Sequence, residues 1–93
     1  MINIKRLIWE SWNIQHIDRH RVTPEEVEEV CRGKPITSQT YGGRIRVVGP
    51  TQRNRMITVI LAPTSTKRTY YPVTARPSDR KERRIYEQQR KSL

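Results

Sequence analysis

Residues 55–62, Arg-Met-Ile-Thr-Val-Ile-Leu-Ala, are apolar nearly throughout. A run of this length, bounded by turn signals on both sides, reads as the central strand of a sheet. A polar hairpin loop from Gly49-Pro50 through Asn54 leads into it, and a turn at 63–67 leads out. Upstream, residues 44–48 alternate so that Ile45 and Val47 share one face and Arg44 and Arg46 the other. Gly42-Gly43 is a turn signal, with a further strand allowed over 36–41. Residues 68–75 form the last strand. Arg68, Tyr70, Thr74 and Arg76 share one parity, and Tyr71, Val73 and Ala75 the other. Pro72 cannot donate to a ladder, so it marks an edge or a bulge.

Helices account for the two ends of the chain. Residues 2–8 allow a short first strand. Residues 9–20 then read as a helix with Trp9, Trp12, Asn13, His16 and His20 on one side and Ile14 and Ile17 continuing the arc. This is the pattern of a helix packing an aromatic and isoleucine face on a sheet. The next helix carries the strongest local signals. Thr23 is the N-cap, Pro24 takes the first helical position, and Glu26 completes a capping box. Val22 and Val27 are placed for a hydrophobic staple, Val27, Val30 and Cys31 form the buried stripe, and Gly33 stops the helix. The acidic run at 25–29 is explained by helix physics rather than by a carboxylate site. A last helix runs from about Pro77 to Lys91, with Asp79 and Glu82 resembling a capping box. Glu82, Ile85 and Tyr86 are its only inward residues, so it should be held at its start and frayed from about residue 88 towards Leu93.

The expected architecture is therefore α+β: one domain spanning residues 1–93, with two N-terminal helices and a C-terminal helix packed on one face of a three- to four-stranded antiparallel sheet. Only 33% of the residues are hydrophobic, which implies a thin core and modest stability. The open face would present Arg44, Arg46, Arg68, Tyr70 and Arg76, a basic surface with an aromatic that suits phosphates and unstacked bases.

Charge points to the same kind of partner. The net charge is +10, yet residues 1–43 carry six basic and six acidic side chains. Residues 44–93 carry thirteen and three, so the whole excess lies in the C-terminal half. A polyanion partner is expected there, either nucleic acid or an acidic protein. The lone Cys31 rules out an intramolecular disulfide and fits a reducing compartment. The N-terminus is too short and too interrupted by Lys5, Arg6 and Glu10 for a signal peptide or membrane span, so a cytoplasmic protein without membrane association is expected.

Standard nucleophilic motifs are missing from the sequence. His16 and His20 have metal-pair spacing, but zinc needs more ligands than the sequence offers, so neither metal nor cofactor is expected. One reaction suits the Arg, Tyr, Glu and His that remain: RNA cleavage by attack of a 2′-hydroxyl on the adjacent phosphate. The substrate brings its own nucleophile, and the protein holds phosphate, stabilises charge and moves protons. Arg55 and Arg76 would supply charge; Glu82, Tyr86 or a histidine would supply proton transfer.

The blocks Trp12-Asn13-x-x-His16-Ile17-x-x-His20-x-Val22-Thr23-x-Glu25-Glu26-Val27, Gly43-Arg44 to Gly49, the Arg55 strand, Thr74-Ala75-Arg76 and Glu82-Arg83-x-x-Tyr86 occur in an order that resembles BrnT-type proteins. The resemblance covers roughly residues 9–87, and its specificity lies in the order and spacing of the blocks. It implies a RelE-like fold, a ribosome-associated or free endoribonuclease acting on mRNA as the toxin of a type II toxin–antitoxin module, and a small antitoxin partner in a hetero-oligomer. The positions it implicates in toxicity fall on Trp9 or Trp12, Arg19 beside His20, Arg55 and Arg76. The chain departs from the family pattern at Arg21, where Lys-His-Gly is usual, and at Asn54, where glycine precedes the central-strand arginine. The alternative functions are a non-catalytic RNA- or ribosome-binding module and a module that docks an acidic protein.

Overall fold

The computed structural model describes residues 3–91. Expectations for Ile2 and Leu93 fall outside that range. The elements are β1 (Arg6–Leu7), α1 (Ser11–Asp18), α2 (Pro24–Arg32), β2 (Ile36–Gln39), a 3-10 turn (Tyr41–Gly43), β3 (Ile45–Pro50), β4 (Met56–Pro63), β5 (Thr69–Pro77) and α3 (Arg80–Lys91). The fold is α+β, with a five-stranded sheet in the order β1-β5-β4-β3-β2. As the apolar run predicts, β4 is central, antiparallel to β3 and β5. The sheet is mixed rather than antiparallel, because the short β1 pairs in parallel with β5.

One face of the sheet carries the core. Ile45 and Val47 of β3, Ile57, Val59 and Leu61 of β4 and Ala75 of β5 pack with Ile17, Val22, Val27 and Val30 from the α1–α2 segment. Helix α2 forms as its sequence dictates. The Thr23 hydroxyl accepts from the Glu26 amide at 3.2 Å, and the Thr23 amide donates to Glu26 Oε1 at 3.0 Å. Val22 and Val27 are both buried, as a staple requires. Gly49 lets β3 pass under α2 and Pro35: a Cβ there would stand 3.1 Å from Pro35.

Helix α1 departs from expectation. It is two turns long and buries Asn13 and Ile17, while Trp12 is 47% and Ile14 39% exposed. The cause is Asn13, whose carboxamide oxygen accepts from the Glu10 amide and whose NH2 donates to the Ile8 carbonyl. This polar clasp on the N-terminal end sets the rotation of the helix and turns Trp12 outward. Trp9 lies before the helix and donates to Glu28 of α2.

Helix α3 is the larger correction. It packs on the face opposite α1 and α2, so the sheet is flanked on both sides. Val48 and Thr58 point away from the core and are still only 4% and 1% exposed, because α3 covers them. The helix begins at Arg80, since Pro77 ends β5, and continues to Lys91. Among the described residues no helix is long and apolar enough to cross a membrane.

Candidate functional site

Strand β5 changes face in mid-course. Leu61 pairs with Pro72, but the next β4 residue back, Ile60, pairs with Thr74, so Val73 is an extra residue in the ladder. A bulge of this kind inverts the alternation on either side of it. Beyond it, Arg76 and Thr74 sit with Thr58 and Ile60 on the face opposite the core. Before it, Tyr71 shares that face with Ala62, while Tyr70 points to the core side and packs against the core cluster. The expected pairing of Tyr70 with Arg76 is thus replaced by Tyr71 with Arg76. Tyr71 was the aromatic missed by strict alternation; Pro72, as a bulge signal, was the residue that could have revealed it.

The open part of this second face is a lattice of paired positions. Arg46, Ile60 and Thr74 form one row across β3, β4 and β5. Ala62 and Tyr71 lie in the row towards the far end, where Arg44 enters β3 in extended backbone with the parity of Arg46. Val48, Thr58 and Arg76 form the row beneath the start of α3. Among the described residues, Arg44 and Arg46 have no carboxylate partner. At the β5 edge Trp12 lies against Tyr71, with ring centroids 5.9 Å apart and planes tilted by 38°. The Trp12 indole donates to Glu10 at 2.8 Å. Between α3 and β2–β3 lies a cavity of about 180 Å³ lined by Ile36, Ser38, Arg46, Val48, Ile85 and Gln89, with Glu82 and Thr37 also on its wall.

Arg76 and Glu82 form a bidentate clasp, Nη1 to Oε1 and Nη2 to Oε2, each at 2.8 Å. Oε1 also accepts from the Thr58 hydroxyl and the Asp79 amide, both at 2.9 Å. The Glu82 amide donates back to Asp79, completing a capping box at the start of α3. Thr58 further exchanges a hydrogen bond with Ser78 at 2.8 Å. Burial alone would raise the Glu82 pKa. The bonds from Arg76, the Asp79 amide and Thr58 outweigh it and hold the carboxyl below the usual range, so Glu82 is a fixed anion. The hydrogen bond to Glu82 raises the Arg76 pKa, against a smaller opposing effect of burial. Arg76 stays 41% exposed. Its third bond, to the Pro77 carbonyl, leaves two of the five guanidinium N–H groups for a ligand.

The other candidate residues lie elsewhere. Arg55 precedes β4 on the core side, where Nη1 binds Glu26 at 2.9 Å and the Arg21 carbonyl at 2.7 Å. Burial alone would raise the Glu26 pKa, but the Thr23 amide and Arg55 hold it below the usual range. Arg19 and His20 stand exposed in the neighbouring α1–α2 connection, where His20 meets His16 edge-on at 5.8 Å. Among the described residues no three His, Cys, Asp or Glu side chains converge. The Tyr86 hydroxyl donates to the Lys34 carbonyl on the flank of α3 away from the open face. Arg68 is not on a sheet face at all. It lies in the β4–β5 turn with φ 59°, and its carbonyl accepts from the Lys5 and Arg6 amides. The expected catalytic set is therefore split over the two sides of the sheet: Arg76 and Glu82 on one, Arg55, Arg19 and His20 on the other. Cys31 is no candidate nucleophile, since burial, with Glu28 adding to it, pushes its thiol up to about 12. Neither the protein-family models nor the curated proteins include a match to this chain.

Proposed function

We propose that this chain is a toxin-like, metal-independent endoribonuclease with a RelE-like fold, and that RNA lies across the open sheet face. The observation that carries this reading is the convergence there of two uncompensated arginines, Arg44 and Arg46, with the partly exposed Arg76 and the Trp12–Tyr71 pair. Guanidinium groups with an aromatic platform suit a phosphate backbone and its unstacked bases. Attack by the 2′-hydroxyl forms the O2′–P bond and breaks the P–O5′ bond; it needs an oriented phosphate, stabilisation of the added charge, and water to take the 2′-hydroxyl proton and protonate the departing 5′-oxygen. In this reading Arg76 supplies the stabilisation and Glu82 is a positioning residue that fixes the guanidinium plane. A cytoplasmic location, an mRNA substrate and a small acidic antitoxin over the same basic face go with it.

The backbone supports the BrnT-type resemblance at two points of departure. Arg21 and Asn54 occupy positions of glycine in the family pattern, and both hold positive φ, 59° and 63°. Glycine adopts that conformation without strain. A second reading, non-catalytic RNA binding, is favoured by the state of Glu82, an ionised carboxylate whose bonds are already committed.

The test is incubation of purified protein with end-labelled RNA in EDTA. Cleavage leaving 2′,3′-cyclic phosphate ends, abolished in Arg76→Ala, is the expected result. Binding without cleavage leaves the second reading alone; absence of binding removes both.

A further inference from the structure

We infer that the cavity between α3 and β2–β3 is a nucleobase pocket, which takes one base of the bound strand and gives the protein a base preference. This rests on the RNA-binding reading and assigns it a specificity site. The cavity holds about 180 Å³, room for about six waters at ~30 Å³ each. Ile36, Val48 and Ile85 are among the residues that line it and give it apolar surface for a flat ring. Ser38 and Gln89, both exposed, also line it. Each can donate and accept, as the edge of a base requires.

Position and charge identify the occupant. Arg46 borders the cavity and also belongs to the open face, in the row next to that of Arg76. Arg76 lies two strands across from Arg46 as well as one row along, so their backbones are about 12 Å apart, at ~4.8 Å per strand and ~7 Å per row. A ligand filling the cavity therefore has beside it one guanidinium without a carboxylate partner, Arg46, and, across β4 in the next row, the partly exposed Arg76, whose clasp with Glu82 leaves two N–H groups for a ligand. That demands a flat apolar body with polar edges on an anionic tether, the description of a nucleotide. The Glu82 carboxylate on the wall is already saturated by Arg76, Thr58 and Asp79, so it does not repel the tether as a free anion would. The Trp12–Tyr71 pair lies at the opposite edge of the face and stacks on any base. Selection among bases falls to the cavity, whose Ser38 and Gln89 read an edge rather than a ring.

The experiment measures anisotropy of labelled oligomers of rA, rC and rU and of an abasic ribose–phosphate oligomer of equal length, with the mononucleotides as competitors. The wild-type protein should rank the three bases over a range of about tenfold or more. Ser38→Ala and Gln89→Ala, both at exposed positions where folding is undisturbed, should collapse the ranking while abasic affinity stays the same. Ile85→Phe, which fills the cavity, should do likewise. Tyr71→Ala should weaken every base-bearing oligomer and keep the ranking. Competition by a mononucleotide at the same ranking would place the recognition in the cavity without need of a strand. Equal affinity for all three bases, or a ranking that survives Gln89→Ala and Ser38→Ala together, overturns the inference and leaves the RNA-binding reading standing. No affinity for any oligomer overturns both.

Discussion

Replacing Glu82 by glutamine separates a positioning role from a proton-transfer role. In the native protein the carboxylate accepts four hydrogen bonds, from Thr58, the Asp79 amide and both terminal nitrogens of Arg76. Glutamine keeps an acceptor at Oε1 but places an NH2 against Arg76 Nη2, donor to donor. One charge-assisted bond is lost, and the remaining three become bonds to a neutral oxygen. Such bonds are weaker by about 1 kcal/mol each. Arg76 is 41% exposed, so water and salt recover part of the loss. The expected destabilisation is about 2 kcal/mol in urea unfolding at neutral pH, and a double-mutant cycle with Arg76→Ala should give a coupling of about 1 kcal/mol. At the same time Arg76 gains a free positive charge, so RNA affinity should rise several-fold at low salt. Two results would refute the reasoning. A coupling below about 0.3 kcal/mol would mean that the clasp contributes nothing. Loss of a limb of the pH–rate profile in Glu82→Gln that the wild-type protein shows would return Glu82 to proton transfer.

The two aromatic neighbours of β5 should separate cleanly: Tyr71→Ala loses RNA affinity by about 1–3 kcal/mol with little change in the urea midpoint, whereas Tyr70→Ala, truncating a side chain packed on the core, loses stability first. Arg44→Ala and Arg46→Ala should each reduce the salt slope of RNA binding by about 0.7, the value for one phosphate contact on a single strand; an unchanged slope would remove that arginine from the interface. Acid should unfold the protein through Glu82 and Glu26. Both are held below their unfolded value near ~4.3, so their stabilisation is complete above that pH and is lost as the pH falls through the folded values. Urea midpoints measured from pH 6 downward should drop below about pH 4.5, and less steeply in Glu82→Gln. Finally, Arg21→Gly should raise stability by up to ~1 kcal/mol by relieving a left-handed arginine; a lower midpoint would mean that the Arg21 side chain stabilises the turn.

The parts of this fold readable from the chain alone are those that neighbours along it decide. The start of α2 is legible because Thr23, Pro24 and Glu26 satisfy the first amides of their own helix. The central place of β4 follows from its unbroken apolar run, and the opposite faces of Ile45 and Arg46 follow from the pleat. The link between Asp79 and Glu82 was equally local. Where distant segments meet is settled only by the folded packing. Asn13, by bonding back to Ile8 and Glu10, rotates α1 and exposes Trp12. Two residues of β1 find β5 some sixty positions later. Arg55 finds Glu26, and Arg76 keeps Glu82, so the two arginines that look alike in sequence end on opposite sides of the sheet. The bulge at Val73 decides which tyrosine joins the arginines: Pro72 announces an irregularity, but the extra residue is placed only when β5 pairs with β4. A side chain's face is fixed locally only while the ladder stays regular. Once a residue is inserted, the pairing with the partner strand sets the parity.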